Sequence, residues 1–427
     1  MFTRNKVIIS IVISILTLLI SYVLGNTSIP FPDEMGVLQG WEKFKEWNGW
    51  EKDSIPDEVM LVNVAYDKQL VDYSVNNIPI GQYAITDRRK LYDFLYKAHQ
   101  ADNYKYIMLD VFFEKGVESP QDSALFHLIA NMDRMVIPVH EDLLLQDSIL
   151  YAKAANADYT ITWEENDFAR FQFIHDGVKS MPLRMYEDIC GKAINKWWFL
   201  YLSNNWFCWN GITLKMPIRM NGETTINGDL QMFNSLNLGA DLLAMDSISP
   251  ISEEIKDKIV VIGNFKDDVH DTYVGSQPGS VICLNAYYAL QRGDHLIWGR
   301  YGSTLLFFIL MAFVYFGLSI ACVNGISLSS MTNNPWLKLI LSFASINLCI
   351  WGIAILAYIT PLDLVYNVWV PISVFTLLDF IMNIYSSYNT KKNEKNNIPV
   401  SDGDADDCVN ESSKLQDSLC ELSADQS

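Results

Sequence analysis

Acidic side chains follow several predicted strands, at positions where they could bind a cation or a polar ligand. Asp67, Asp110 and Asp271 come at or just after the ends of strand-like apolar runs. Open α/β sheets bind ligands at the carboxyl ends of their strands, so we expect these carboxylates to line a crevice. Carboxylate oxygens suit divalent cations as well as hydrogen-bond donors. The candidate ligand-binding residues, with polar neighbours added, are Asp67, Asp110, Glu114, Asp268, His270, Asp271 and Thr272.

The same residues also have a simpler interpretation. An Asp at a strand end often caps the following helix or turn. His270 lies among acidic neighbours that would raise its affinity for a proton or a cation, although a surface histidine without a function is the alternative. The identity of any metal stays open, and no cofactor is predicted.

The sequence contains no motif of a common hydrolase or nucleotide-binding enzyme. There is no Gly-x-Ser-x-Gly elbow, no His-Glu-x-x-His and no phosphate loop. Gly279 and Ser280 open a predicted helix whose amino terminus could hold an anion. We therefore expect a binding protein rather than an enzyme.

Strands and helices alternate through the first half of the polar block that carries these residues. Apolar runs at 59–65, 106–113 and 135–139 predict strands, and residues 87–101 and 121–131 predict helices. The connections between the strands are too long for hairpins, so parallel pairing is expected.

The second half of the block predicts a more varied order. Residues 159–163 and 168–175 are typical of neighbouring antiparallel strands. The predicted elements that follow are a helix at 183–202, a strand at 212–220, a strand at 258–263 and a helix at 280–291. The fold class is therefore α/β, with a mixed, partly parallel sheet and flanking helices in one large extracytoplasmic domain. One domain and two lobes both remain open.

Four apolar runs flank this block and predict four transmembrane α-helices. Residues 7–24, 303–323, 337–359 and 365–385 are each long enough to cross a bilayer. Basic residues lie on the sides that would be cytoplasmic, namely Arg4, Lys6, Lys338, Lys391, Lys392 and Lys395. The positive-inside rule then puts both termini in the cytoplasm and the polar block outside. A cleaved signal peptide is the alternative for the first run.

This layout divides the chain into four segments. We expect a cytoplasmic start and anchor helix at 1–25, an extracytoplasmic domain at 26–298, three transmembrane helices at 299–386 and a disordered acidic cytoplasmic tail at 387–427. Asp379 lies well inside the fourth apolar run. Its carboxylate could pair with Asn347, Asn383 or a partner subunit, or reach toward the cytoplasmic water.

Charge and cysteine content restrict the partners and the chemistry. The net charge of -19 and the lack of a basic cluster in the polar block argue against nucleic acid. Cys190, Cys208 and Cys283 are the cysteines of that block. An odd number is no disulfide framework, although one bridge between Cys190 and Cys208 is possible.

An ordered set of motifs resembles the CHASE type two (CHASE-2) extracellular sensory domains of bacteria. The closing signature of that family is matched by KIVVIGN at 258–264, Asp271-Thr272, Gly275, Pro278-Gly279 and Asn285-Ala286-Tyr287. The earlier matches are the strand and Asp at 59–67, MLDVFF at 108–113, Asp122, Asp176-Gly177 and Pro182. The resemblance runs from the first apolar run to the last.

Some positions depart from the family pattern. Residues 83–88 read YAITDR where the family has Trp-Pro-Trp-Pro-Arg, Tyr273 replaces a proline, and Lys179 stands nearest to the arginine of the "DG" turn. These departures bear on a shared ligand more than on a shared fold. The family's modules precede adenylate cyclases, histidine kinases and Ser/Thr kinases, and we expect no such output domain in this chain.

The resemblance and the layout together imply a receptor-like protein of the bacterial inner membrane. Its external domain would bind a ligand or an envelope partner, and its helices would pass the signal to a separate effector protein. The lipid bilayer is a further partner, and a homodimer is plausible, although no heptad or small-residue face supports it. The alternatives are an envelope assembly protein and, less favoured, a membrane-anchored hydrolase.

Overall fold

The structure is a computed structural model that describes most of the block between the first and second apolar runs. The described residues are 19, 22–23, 26, 34–49, 55–75, 78–140, 143–158, 170–220, 225–226, 229–230, 235–237, 250–296 and 337. The helices are α1 Glu34–Trp47, α2 Arg88–Ala101, α3 Asp122–Asn131, α4 Met181–Cys190, α5 Ile251–Glu254 and α6 Gly279–Arg292, with a 3₁₀ turn at Ser148–Ala152.

Nineteen short strands accompany these helices within the described ranges. The first nine are β1 Val59–Asn63, β2 Lys68–Val75, β3 Ile78–Thr86, β4 Tyr106–Leu109, β5 Met135–Val139, β6 Ala154–Asn156, β7 Arg170–Gln172, β8 Ile174–His175 and β9 Val178–Lys179. The others are β10 Ile194–Trp197, β11 Leu200–Ser203, β12 Trp206–Phe207, β13 Gly211–Thr213, β14 Thr225–Ile226, β15 Asp229–Leu230, β16 Ser235–Asn237, β17 Ile259–Gly263, β18 Val269–His270 and β19 Gln277–Pro278.

Six of the strands form a parallel central sheet in the order β16-β1-β17-β4-β5-β6. Antiparallel pairs occur outside it, in small two- and three-stranded sheets. The α/β class and the partly parallel pairing are therefore confirmed. The two kinds of pairing are separated, because long helical connections bring strands back in parallel while short turns make hairpins.

The central strands are buried on both faces. In β1, Val59 and Leu61 pack in one apolar core, whereas Met60 and Val62 pack in the other. Side chains alternate across a strand, so a strand covered by helices on both sides must be apolar throughout. One face carries α2 and α3, and the other carries α4, α6 and the small antiparallel sheets.

Helix α2 forms as its sequence predicts. The carboxylate of Asp87 accepts hydrogen bonds from the backbone N–H groups of Arg89 and Lys90 at 3.0 and 3.1 Å, which caps the first turn. An apolar stripe of helical period, which comprises Leu91, Phe94, Leu95 and Ala98, is fully buried. The helix therefore presents its core-facing side to the sheet.

Helix α3 begins slightly later than the sequence predicts. Asp122 starts it, and its Oδ2 accepts a hydrogen bond from the Ser119 N–H at 2.6 Å. The Ser119 hydroxyl donates to the side-chain carbonyl of Gln121 at 2.8 Å. The cap residue Gln121 makes no side-chain capping bond, so the carboxylate of Asp122 organises this turn.

The predicted helix over 183–202 is wrong in its second half. Helix α4 ends at Cys190, because Gly191 adopts a left-handed conformation with φ 65° and stops it. The chain then forms the antiparallel strands β10 and β11. Their aromatic and branched residues favour a half-exposed strand over a helix.

Other predicted elements are shortened or fall elsewhere. The predicted strand at 212–220 is regular only as β13, which pairs with β7. Strands 106–113 and 168–175 are likewise shorter than predicted, and residues 159–163 lie outside the described residues. Hairpin β2–β3 was not predicted.

The transmembrane predictions stay predictions. Apart from residues 19, 22–23 and 337, the four apolar runs lie outside the described residues, as do Asp379 and the tail. Among the helices that the structure describes, none combines the length and the apolarity needed to cross a bilayer. The suggested bridge between Cys190 and Cys208 is wrong, since both thiols are free.

Candidate functional site

Asp110 lies in a recess where β4 ends beside the start of α6. Its backbone N–H donates to the Ile262 carbonyl at 2.7 Å, which extends the parallel pairing by one residue. A Cβ on neighbouring Gly263 would collide with the Ser280 hydroxyl. The absence of a side chain at Gly263 therefore lets the first turn of α6 approach the carboxyl ends of the strands.

The loop after β17 brings a second carboxylate and an imidazole to the same place. Asp268 Oδ1 lies 3.0 Å from His270 Nε2, and the Asp268 carbonyl accepts the Gly279 N–H at 3.1 Å. A Cβ on Gly279 would lie 3.1 Å from Asp268 Oδ2. The five residues Asp110, Asp268, His270, Gly279 and Ser280 are called the strand-end recess below.

The electrostatics of the recess centre on Asp110. Burial, followed by the negative charge of Asp268, raises the pKa of Asp110 from 3.8 to about 6. The Ser280 hydroxyl and the two imidazoles of His140 and His270 oppose this rise. Part of the Asp110 surface remains open to solvent, so a proton or a ligand can reach it.

His140 and Asp158 form a second acid–imidazole pair at the same edge of the sheet. His140 follows β5, and its Nδ1 lies 2.7 Å from Asp158 Oδ1 beyond β6. The His140 ring meets the Phe112 ring edge-on at 4.9 Å. This pair was not predicted from the sequence, although His140 directly follows a strand, as Asp110 does.

Asp67 has a structural role. Its buried carboxylate pairs with Lys90 at 2.8 Å, and its carbonyl accepts the Asp87 N–H at 2.8 Å. These contacts tie the loop after β1 to the beginning of α2. The alternative interpretation, in which a strand-end Asp holds the next helix, describes Asp67 well.

Three further candidates take part in local backbone structure. The Ser276 hydroxyl donates to Asp271 Oδ1 at 2.5 Å, and the Thr272 hydroxyl donates to the Gly275 carbonyl at 2.5 Å, so both candidates close the turn before β19. Glu114 forms a backbone bridge with Leu145. Of the seven candidates, the structure brings Asp110, Asp268 and His270 together.

The recess is not a preformed metal centre. In the part of the chain that the structure describes, no three His, Cys, Asp or Glu side chains are grouped closely enough to hold a metal ion. Its carboxylates accept hydrogen bonds, and the raised pKa of Asp110 favours its protonated form. Such a set suits binding of a polar ligand with hydrogen-bond donors, or of protons.

Arg88 and Asp122, of which Asp122 matched a family motif, form a buried ion pair. Arg88 Nε lies 3.3 Å from Asp122 Oδ1 without an aligned hydrogen bond. Burial lowers the pKa of Arg88 to about 10, and its guanidinium lies 4.5 Å from the centre of the Phe113 ring. The pair joins the first turns of α2 and α3.

Residues 201–210, called the anchor segment below, contact both ends of the domain close to the carboxyl end of α6. Tyr22 accepts a hydrogen bond from the Tyr201 N–H at 2.9 Å and donates to the Cys208 carbonyl at 3.0 Å. Asn26 Oδ1 accepts the Asn210 N–H at 2.6 Å. The chain entering the domain is thus fixed to this segment.

The chain leaving the domain is held by the same segment. The Trp209 N–H donates to the His295 carbonyl at 2.7 Å, and Cys208 forms a backbone bridge with Leu296. His295 is fully buried, with its ring edge-on to Phe173 and Tyr186. Helix α6 therefore begins in the strand-end recess and ends three residues before His295.

The family comparison agrees with this architecture. The family model described as "CHASE2 domain" matches residues 19–318, which cover both the recess and the anchor segment. No curated protein and no solved structure shows a significant match to the chain. The chain therefore belongs to the CHASE2 family of extracellular sensory domains.

Proposed function

We propose that this protein is a bacterial inner-membrane sensor whose extracytoplasmic domain binds a small polar ligand in the strand-end recess. The observation that carries the proposal is the course of α6, which starts at Gly279 in the recess and leads to His295 at the anchor segment. One buried helix thus connects a solvent-accessible cluster of titratable groups to the points where the chain enters and leaves the domain.

The chemistry of the recess favours a ligand that supplies hydrogen-bond donors or positive charge. Asp110 and Asp268 repel each other, which contributes to the raised pKa of Asp110. An amine, a cation or a proton would relieve this repulsion. Such a ligand would be bound more tightly when the loop around Asp268 is closed onto the first turn of α6, because both carboxylates then act together.

Helix α6 is suited to transmit such a closure. Its 14 residues span about 20 Å, and eleven of them are buried. Asn285 near its middle holds the backbone of Ile218 by two hydrogen bonds, at 3.1 and 2.8 Å. A packed helix moves as a unit, so a shift at Gly279 reaches His295. A ligand shifts this equilibrium only by its differential affinity for the two arrangements.

We place the ends of the domain at a membrane. Residues 7–24 and the three later apolar runs would form four membrane helices with both termini in the cytoplasm, the domain lying outside. The last three helices or the polar residues 387–427 would contact a separate effector protein. Binding without turnover is proposed, since Ser280, the hydroxyl nearest to Asp110, is fully buried.

Ligand screening of the full chain in detergent tests the proposed site. Thermal unfolding is measured with divalent metals, amines and amino acids, using wild type, Asp268→Asn and a matched control, Asp72→Asn, which removes an exposed carboxylate on β2. We expect saturable stabilisation that Asp268→Asn weakens and Asp72→Asn keeps. A ligand whose effect is the same in all three proteins, or a substrate that is turned over, would contradict the proposal.

Co-purification from intact membranes tests the proposed output. An affinity tag on the full chain should retain a kinase, a cyclase or another effector, and the yield should depend on residues 299–427. Recovery of envelope assembly proteins alone would instead favour a role in assembly.

A further inference from the structure

Five large aromatic side chains are exposed together on the small sheet β10-β11-β12. Trp197, Trp198 and Trp206 are 66%, 83% and 63% exposed. Trp197, Trp198, Phe199 and Phe207 are called the aromatic surface below, whereas Trp206 is paired with Ser203 and lies on the other face of the sheet. Exposed aromatic clusters of this kind mark interaction sites, because isolated apolar residues rather than groups are normal on a soluble surface.

The pairing of the strands aligns apolar side chains on the outer face of this sheet. Trp197 is paired with Leu200, and Leu202 with Phe207. Directly opposed residues of antiparallel strands point to the same face. The opposite face points inward, where Ile194, Tyr201 and Ser203 are buried. The outer face therefore carries the apolar residues Trp197, Leu200, Leu202 and Phe207 beside a single Asn195, with no covering element among the described residues.

The turn between β10 and β11 has an unusual residue at its tip. Trp198 adopts φ 57°, in the left-handed region that favours glycine or asparagine. Its ring lies 4.5 Å from that of Phe199, so the two rings project as one unit. Glycine would adopt this backbone conformation with less strain. The presence of a tryptophan therefore indicates that its side chain has a role at the surface.

The aromatic surface lies next to the place where the chain enters the domain and the place where it leaves. Tyr201 of β11 is hydrogen-bonded to Tyr22, within the first apolar run, and Cys208, which follows β12, is bridged to Leu296. The second apolar run begins at 303. Tyr22 and Leu296 thus both lie beside the same small sheet.

From this placement we infer that the aromatic surface inserts into the interfacial region of the lipid bilayer. Trp rings favour the level of the lipid headgroups, where their apolar rings and polar N–H groups are both satisfied. The exposed Lys192, which precedes β10, can meet lipid phosphates. The inserted sheet would hold the domain in a fixed orientation on the membrane. A movement of α6 would then shift the anchor helices and would not simply rotate the whole domain.

The test uses the full chain in nanodiscs of mixed phosphatidylcholine and phosphatidylglycerol. A fluorescent amino acid is introduced by amber suppression at position 198 or, separately, at position 207. The matched control places it at Tyr96, an exposed aromatic on α2, which covers the opposite face of the central sheet. Quenching is measured with lipids brominated near the top of the acyl chain.

We expect quenching at 198 and 207 to exceed quenching at 96 about threefold or more. Equal quenching at all three positions would overturn the inference, and so would a label at 198 that is shielded by a second protein but not reached by bromolipid. Failure of the chain to enter nanodiscs would also overturn the proposed anchoring. Loss of ligand binding in the recess would leave this result unchanged.

Discussion

The strand-end recess and the anchor segment lie at opposite ends of α6 and are built from different kinds of residue. The recess consists of charged and polar groups on loops, partly open to solvent, with Asp110 and Asp268 in mutual repulsion. The anchor segment is closed by buried backbone hydrogen bonds to Tyr22 and His295. A sensor needs this contrast, since one end must respond to a ligand and the other must hold a fixed connection.

The anchor should be the more sensitive of the two regions to loss of a hydrogen bond. Asn210 is buried, and its side-chain amide pairs with both the N–H and the carbonyl of Ile174 at 2.8 and 2.9 Å. In Asn210→Ala both groups would be left buried and unpaired. We expect the free energy of unfolding to fall by about 3 to 5 kcal/mol, measured by chemical denaturation of the full chain in detergent.

Asn195 provides the matched control for that change. It is exposed on β10, and Asn195→Ala should alter the unfolding free energy by less than about 0.5 kcal/mol. Equal losses of unfolding free energy at the two positions would contradict the claim that the buried hydrogen bonds of Asn210 stabilise the anchor segment.

The pH dependence of the anchor follows from His295. Burial, assisted by the charge of Lys192, lowers the pKa of His295 to about 4. The folded state disfavours the protonated ring. The contribution of the neutral ring to the free energy of unfolding is therefore complete above pH 6.5 and is lost as the pH falls toward 4. The loss should amount to about 3 kcal/mol in wild type and be absent in His295→Gln. A wild-type profile identical to that of the variant would contradict a buried neutral histidine.

The pH dependence of the recess has the opposite sign. Because the pKa of Asp110 is raised to about 6, its folded state disfavours ionisation, and stability is lost as the pH rises from about 4 to 6. Asp110→Asn should therefore be about 2 to 3 kcal/mol more stable than wild type at pH 7 and no more stable at pH 4. Denaturation at the two pH values measures this difference, and stabilisation of equal size at both would argue against a raised pKa.

Tyr22 offers a milder change at the anchor. Tyr22→Phe keeps the ring, which lies 5.1 Å from that of Trp209, and removes the hydroxyl that bonds Tyr201 and Cys208. We expect a loss of about 1 to 2 kcal/mol in unfolding free energy. Hydrogen exchange at the Tyr201 amide should become faster, whereas Tyr66→Phe, at an exposed site after β1, should leave that amide unchanged.

Elements with one dominant signal could be predicted from the sequence. Helix α2 has a capping Asp and an apolar stripe of helical period, and the β1 and β17 runs are apolar throughout, as buried parallel strands must be. Local pattern and tertiary packing agree in these elements, so the prediction held.

Other features depend on contacts that no local pattern reveals. The helical prediction failed after Gly191 because that residue ends α4 in a left-handed conformation, and the chain then pairs β10 with β11. The pair of His140 and Asp158 forms only because β5 and β6 are neighbours. Asp67 and Asp110 have similar sequence surroundings, yet Lys90 neutralises the first, and the first turn of α6 covers the second.

Hydrogen exchange in the full chain tests the connection between the two regions most directly. Asp110→Asn removes the charge in the recess, as a bound cation or proton would, and Asp72→Asn is the control. We predict that Asp110→Asn changes the protection of the Trp209 and Leu296 amides relative to those of β5, and that Asp72→Asn does not. A change confined to residues 263–280, with the anchor amides unaltered, would contradict transmission through α6.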